Sequence, residues 1–251
     1  MPAPDLIESP LPSSISKFEP DISVIVATFN EQASIETCVR RIFSTFPTGC
    51  EVLVVDGGGD NTGQIVKGLE KEFTGLRYIR NENDRGKGHA TKVGIANARA
   101  KLMAEIDADL QFHPEELPLL FAPLREGKAD VALGSRFAKG SSRRSGSTNS
   151  LRTFGNFTTS LYASILFCHR MTDVLAGMMA WTREVSDAIG ELRDNYSYEV
   201  EIPVKALKKG FRVVDVPVIT EARQGGCSNV NVVRDGLIIL RDITLFRLGL
   251  R

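Results

Sequence analysis

Two stretches constrain the fold more than anything else in the chain. Asp21-Ile-Ser-Val-Ile-Val-Ala27 and Glu51-Val-Leu-Val-Val-Asp56 are near-continuous apolar runs of strand length. Runs of that kind belong to strands covered on both faces, as in parallel sheets flanked by helices. Ser34 to Phe46, between them, has helical periodicity. Leu76 to Arg80 reads as a third strand, followed by Asp84-Arg-Gly-Lys-Gly88 and a helix through about Ala100. Lys101 to Ile106 reads as a strand, a helix follows Pro114, and Ala129 to Gly134 reads as another strand. Strand-helix alternation predicts an α/β fold: a Rossmann-like, mostly parallel sheet with helices on both faces. The second half is less regular, with helices over Leu151 to Phe167 and Tyr196 to Lys209 and a late strand at Phe211 to Pro217. With no repeat and no clear linker, residues 21–251 read as one domain of ordinary size, after a Pro- and Ser-rich stretch over 1–20 that reads as a disordered leader.

Composition removes some functional classes. Thirty-one basic and thirty-one acidic residues cancel, so no global field favours nucleic acid and local clusters must carry any anion binding. Cys38, Cys50, Cys168 and Cys227 form no C-x-x-C, which argues against a zinc knuckle or redox dithiol and fits a reducing, cytoplasmic setting. No run of eighteen apolar residues offers a membrane span.

In a parallel sheet of this kind, functional loops gather at the carboxyl ends of the strands. Thr28, Asp56 and Asp107 all fall there. Asp107-Ala108-Asp109-Leu110-Gln111 is the sharpest chemical signal. If the backbone stays extended, the two carboxylates face one side of the strand end with Gln111 in phase. That set offers hard oxygen ligands to Mg²⁺ or Mn²⁺, ions that bridge phosphates. Read alone, such a pair is a weak signal, since two acidic residues at a strand end are usually just solvated. Lys87 sits in a glycine-rich turn heading a helix, where free N–H groups favour anions, although a plain turn explains the same residues. Ser135, Arg136 and Arg152 flank a Gly/Ser/Arg loop over Ala138 to Asn149 that is long enough to be a mobile flap. Arg forks suit phosphate oxygens, whereas Arg143 and Arg144 within that loop read better as a disordered basic segment. The segment from about 232 to 248 is an amphipathic helix, with Arg234, Asp235, Arg241 and Asp242 placed on one face. It either docks on the domain or lies in a bilayer interface, where Leu237, Ile239, Leu240, Ile243 and Phe246 would insert.

Taken in order, VIVATFNE, EVLVVDGGGDNT, NDRGKGHA, DADLQFHPEEL, ALGSRF, TDVLAGMMAWTREV, YSYEVE and KKGFRVVDVPV resemble the family-2 inverting glycosyltransferases of GT-A fold. The branch they are most similar to makes dolichol- or polyprenyl-phosphate mannose or glucose. The resemblance implies a nucleoside-diphosphate sugar donor, GDP- or UDP-linked, a Mg²⁺ or Mn²⁺ ion and a polyprenyl phosphate acceptor. It implies that Ala27, Phe29, Glu31 and Asp56 line the base and ribose, that Asp107 and Ala108 meet the phosphates, with Lys87 also on the donor side, and that Asp107, Asp109 and Gln111 hold the metal. Ser135, Arg136 and Arg152 would grip the acceptor phosphate, with Asp109, Arg136 and Arg152 as the catalytic set. A lipid acceptor implies peripheral contact with the cytoplasmic face of a membrane.

Three departures stand out. Gly57-Gly58-Gly59 occupies the place of the usual Asp-x-Ser, Ala176 stands for a common Ser, and Asn229-Val-Asn231 replaces a basic stretch. They leave donor base and acceptor open. A hydroxyl acceptor would need a base, for which Asp173, Glu199 and Glu201 are the candidates. A non-catalytic nucleotide-sugar-binding module is the remaining alternative. A nucleotidylyltransferase is disfavoured because no G-x-G-T-R loop follows Val26.

Overall fold

A computed structural model of the chain describes residues 19–144, 146, 150–224 and 231–250. The expectations for the leader at 1–18, for residues 145 and 147–149 of the Gly/Ser/Arg loop, and for Cys227, Asn229 and Val230 lie outside the described residues. Among the described residues the chain builds a seven-stranded sheet in the order β3-β2-β1-β4-β7-β5-β8. The two apolar runs become β1 (Ile22–Thr28) and β2 (Cys50–Asp56), paired in parallel from Ile22 opposite Cys50 to Thr28 opposite Asp56. β3 (Leu76–Arg80) flanks β2, and β4 (Leu102–Ile106) flanks β1, both in parallel.

The period-two alternation of each strand divides the core into two layers. Val24, Val26, Val52, Val54, Ala104 and Ile106 pack under α1 (Ile35–Thr45), α2 (Thr62–Leu69) and α4 (Leu117–Arg125). Ile25, Leu53 and Met103 face the opposite layer, which contains α3 (Lys87–Asn97), α5 (Ser150–Phe167), α6 (Arg183–Ile189), α7 (Tyr198–Lys208) and α8 (Val232–Leu248). A mostly parallel sheet with helices on both faces is thus the architecture of the chain.

The strand missing from the sequence reading is β7 (Met178–Thr182), which runs antiparallel between β4 and β5 (Val131–Ser135). Met-Met-Ala-Trp-Thr has one β-branched residue and shows no alternation, so local propensity marks it only weakly. Burial between two neighbours accounts for it: Met178, Met179, Ala180 and Trp181 have almost no solvent exposure. β8 (Val213–Pro217) closes the edge in parallel with β5.

Two further differences bear on the site. β4 stops at Ile106, and the acidic segment after it is a turn with Leu110 at φ +60°, not extended backbone. Part of the Gly/Ser/Arg loop is also held in place: β6 (Ser142–Arg143) pairs with β9 (Ile219–Thr220), the Arg144 N–H donates to the Thr220 carbonyl, and Arg144 pairs with Glu221.

α8 packs on α5 and α7 through Ile239, Ile243 and Phe246, which are buried and leave Val233, Leu237 and Leu248 as its exposed apolar side chains. Its charged residues do not share one exposed face. Asp242 is fully buried, accepting from the Ser197 hydroxyl at 2.8 Å and from Arg241.

Trp181 lies at the centre of this arrangement, its indole N–H donating to Ser186 Oγ at 2.7 Å. Trp181→Ala should cost about 3–5 kcal/mol of unfolding free energy. Urea denaturation followed by circular dichroism checks this, since Trp181 is the chain's only tryptophan and its fluorescence disappears with it.

Candidate active site

The carboxyl ends of β1 and β4 open into a cleft of about 420 Å³, walled by α3 on one side and by α5 and α8 on the other. Ten of the residues singled out from sequence reach its wall: Ala27, Phe29, Glu31, Lys87, Asp107, Ala108, Asp109, Gln111, Arg136 and Arg152. Residues from both halves of the chain, as far apart as Ala27 and Arg152, therefore converge on one space.

Two candidates do not reach it. Asp56 is buried, and its carboxylate accepts from Thr28 Oγ1, the Gly58 N–H and the Tyr78 hydroxyl, with Arg80 alongside. It braces the loops that carry Phe29. Ser135 is also buried: its Oγ accepts from the N–H groups of Phe137 and Ala138 at 3.0 Å and shares a hydrogen bond with Thr172. In this arrangement it shapes the turn that presents Arg136.

The acidic turn works differently from an extended strand end. Asp109 Oδ1 accepts from the Gln111 N–H at 3.0 Å, and Asp107 reaches the Lys87 ammonium at 2.7 Å. Burial and the neighbouring Asp107 charge push Asp109 up to about 6. Gly177 makes the packing possible, because a Cβ there would run into the Asp107 carboxylate. Its carbonyl accepts from the Asp107 N–H at 2.9 Å.

Lys87, in the first turn of α3, is the cation of this side. Its ammonium lies 2.7 Å from Asp107, 2.8 Å from Glu199 and 3.3 Å from Glu105. Burial alone would lower its pKa, but these carboxylates more than offset that and hold it well above the ordinary value. Glu199 is pushed up to about 7 by burial, against the pull of Lys87. Of the three candidate bases, only Glu199 lines the cleft. Asp173 is fully buried and accepts three hydrogen bonds from Arg136, from Nε at 2.6 Å, Nη2 at 2.9 Å and the backbone N–H at 3.1 Å. Glu201 is turned away, onto Lys205 and the Arg193 N–H.

Arg136 is thus a preset guanidinium. Besides Asp173 it donates to the Leu175 carbonyl at 2.6 Å, and it rests near the rings of Phe112 and Phe137. Burial lowers its pKa and Asp173 raises it further, so it stays charged. Arg152, on the first turns of α5, shares the wall with it.

Sequence reasoning missed Arg223. Segment 220–224 straps antiparallel across the acidic turn: Phe112 bridges Thr220, the Glu221 N–H donates to Gln111 O at 3.0 Å and the Gln224 N–H to Asp109 O at 2.9 Å. Arg223 thereby reaches Glu31 in an ion pair and lies 3.7 Å from Asp109. Burial raises Glu31 despite this partner. No local pattern around Arg223 announces contact with residues more than a hundred positions earlier. Asp84, Tyr196 and Asp235 also line the cleft without having been anticipated.

Among the described residues no group of three or more His, Cys, Asp or Glu side chains forms a ready metal cage. The oxygens of Asp107, Asp109 and Gln111 nonetheless fit Mg²⁺ or Mn²⁺, which bind through one or two carboxylates and complete their shells with water and phosphate oxygens. Burial and then the neighbouring Asp107 charge raise Asp109, and a divalent cation would offset both.

Comparison with known proteins identifies relatives of the chain. The Glycosyl transferase family 2 model matches residues 23–189. Polyprenol monophosphomannose synthase of Mycolicibacterium smegmatis is 28% identical over 83% of this chain and 80% of that protein. Undecaprenyl-phosphate mannosyltransferase of Micrococcus luteus is 27% identical over 91% of this chain and 99% of that one. Among solved structures, glucosyl-3-phosphoglycerate synthase from Mycobacterium tuberculosis, in complex with Mn²⁺, UDP-glucose and phosphoglyceric acid, aligns with a TM-score of 0.69. That alignment covers 97% of this chain and 86% of that chain at 20% identity, a likeness of fold.

The Lys87 cluster makes a pH-dependent prediction. Glu199 and Glu105 have raised pKa values in the folded chain, so they reduce stability as pH rises from the ordinary carboxylate range through about 7. Lys87→Met removes the cation that limits this loss. Its destabilisation should therefore be larger at pH 8 than at pH 5, as read from urea midpoints at the two pH values.

Proposed function

The chain belongs to glycosyl transferase family 2, and we propose that it transfers a sugar, with inversion, from a nucleoside-diphosphate sugar to a polyprenyl phosphate, using Mg²⁺ or Mn²⁺. The observation that carries this reading is a single cleft lined both by the Asp107–Asp109 turn and by the guanidinium groups of Arg136 and Arg152. A donor diphosphate with its metal suits the first and an anionic acceptor the second. The names of the relatives, which act on polyprenyl, undecaprenyl or dolichyl phosphates, favour the same acceptor class.

The chemistry follows from those positions. Asp107, Asp109 and Gln111 would hold the divalent ion, which when bound offsets negative charge on the leaving diphosphate. Phe29, exposed at the end of β1, offers a ring face for a base. Arg136, fixed by Asp173, and Arg152 orient the acceptor phosphate so that one of its oxygens attacks the anomeric carbon as the bond to the diphosphate breaks. A phosphate monoester is already anionic, so this displacement needs no proton acceptor. Transfer to a hydroxyl would require one, and Glu199 is the residue placed for it.

A lipid acceptor also gives a role to the outside of the same wall. The inner sides of α5 and α8 face the cleft through Arg152, Asn156, Asp235 and Ile239. Their outer sides expose Leu151, Phe154, Leu161 and Ile165 on α5 and Val233 and Leu237 on α8. Arg234, Arg241 and Arg247 are exposed on α8 and suit anionic headgroups. No helix among the described residues is long and apolar enough to cross a membrane, so shallow contact of this two-helix face is the mode we propose.

Three measurements test the reading. Asp109→Asn should lower transfer at least a hundredfold and make nucleoside-diphosphate binding indifferent to chelator, with the fold unchanged by circular dichroism. Arg152→Ala should cut catalytic efficiency toward the acceptor about ten- to a hundredfold while sparing donor binding, as expected for one charge-assisted hydrogen bond. Phe154→Glu with Leu237→Glu should abolish co-sedimentation with anionic liposomes and the use of long-chain polyprenyl phosphate, yet retain a short-chain, water-soluble analogue. Wild-type protein that uses only hydroxyl acceptors would instead favour the Glu199 route.

A further inference from the structure

Gly57 directly follows β2, and its N–H donates to the Thr28 carbonyl at 3.0 Å, which sets it beside the start of the Phe29 loop. A Cβ at position 57 would lie 2.6 Å from both Cγ and Oδ2 of Asp84 and 2.8 Å from its Cβ. The Asp84 side chain therefore fills the room that any residue larger than glycine would need there. Oδ1 of Asp84 accepts from Asn81 Nδ2 at 2.8 Å and from the Gly86 N–H at 3.1 Å, which fixes the carboxylate and turns Oδ2 toward Gly57. Asp84 lines the cleft together with Ala27 and Phe29, whereas the strand-end Asp56 is buried behind it and already hydrogen-bonded on both oxygens.

We propose that Asp84 reads the base of the bound nucleotide, across the space left by Gly57 and beside the exposed ring of Phe29. The inference rests on the nucleotide-sugar reading above and deepens it. An ionised carboxylate can only accept hydrogen bonds. It pairs with a base whose pairing edge carries a ring N–H, as guanine and uracil do. Adenine and cytosine present a ring lone pair at that point, and two acceptors facing each other in a confined site are rejected. Phe29 supplies a stacking face that tolerates any base, so the discrimination falls to Asp84.

Calorimetric titration with GDP, UDP, ADP and CDP, each with Mn²⁺, tests this on the full chain. Wild-type protein should bind GDP or UDP at least ten times more tightly than ADP and CDP. Asp84→Asn keeps Oδ1 for Asn81 and Gly86 and replaces Oδ2 by a donor. It should weaken the preferred nucleotide about ten- to a hundredfold and collapse the preference among bases. The double variant Gly57→Asp with Asp84→Gly returns a carboxylate from the opposite side of the same contact and should restore the preference. Unchanged affinities in Asp84→Asn, or an equal loss for all four nucleotides, would overturn the assignment. Wild-type protein that binds none of the four would overturn the nucleotide-sugar reading together with it.

Discussion

The cleft depends on a buried cation shared by three elements. Lys87 enters from the head of α3, Glu105 and Asp107 come from the end of β4, and Glu199 from the first turn of α7. Tyr198 donates to Glu105 and Thr91 donates to it as well, so both helices are tied to the same strand end. Three carboxylates this close would repel one another without the ammonium, and the ammonium could not stay charged at this depth without them. This mutual dependence fixes the position of Asp107, and through it the acidic turn.

Around Arg136 the arrangement is reversed, with a guanidinium held by a buried carboxylate. Asp173 pairs with Arg136 from behind, which holds the guanidinium in place. Arg223 plays a third part, because it reaches Glu31 and Asp109 from the strap formed by segment 220–224. Under the proposed function, a diphosphate and its metal would compete with Arg223 for those carboxylates. The site is thus held in a balanced electrostatic state before any ligand enters.

Much of the architecture was legible because buried parallel strands have few alternatives. Val24, Val26, Val52 and Val54 could hardly belong to anything but a covered strand, and their carboxyl ends marked the rim. The residue list for the cleft was readable for a different reason: the motifs occurred in one order along the chain. What sequence could not show was any feature created by contact between distant segments. β7 has only weak strand propensity of its own and exists because β4 and β5 cover it. The extended geometry expected for Asp107 and Asp109 failed at Leu110, whose positive φ turns the chain. Asp56 and Ser135 have the right chemistry at the right strand ends, yet their oxygens are already committed to backbone and side-chain partners. On α8, periodicity identified an amphipathic helix but not which apolar residues would meet the domain; packing on α5 and α7 took Ile239, Ile243 and Phe246 inward.

The reversal of β7 has a consequence for how such a chain can diversify. β5 ends at the rim with Ser135, and β7 begins at the same rim with Met178. Everything between them, including Arg136, the tethered loop and all of α5, leaves and returns at one edge of the sheet. Changes in the loop over residues 138–144 therefore leave strand order in place, whereas Ala163, Met171, Val174 and Ala176 tie the rest of the segment to both core layers. The half that carries the acidic turn is woven through the parallel sheet and is constrained by it. The segment that carries Arg136 and Arg152 hangs between two neighbouring strand ends, so its exposed loop can change without rethreading the sheet.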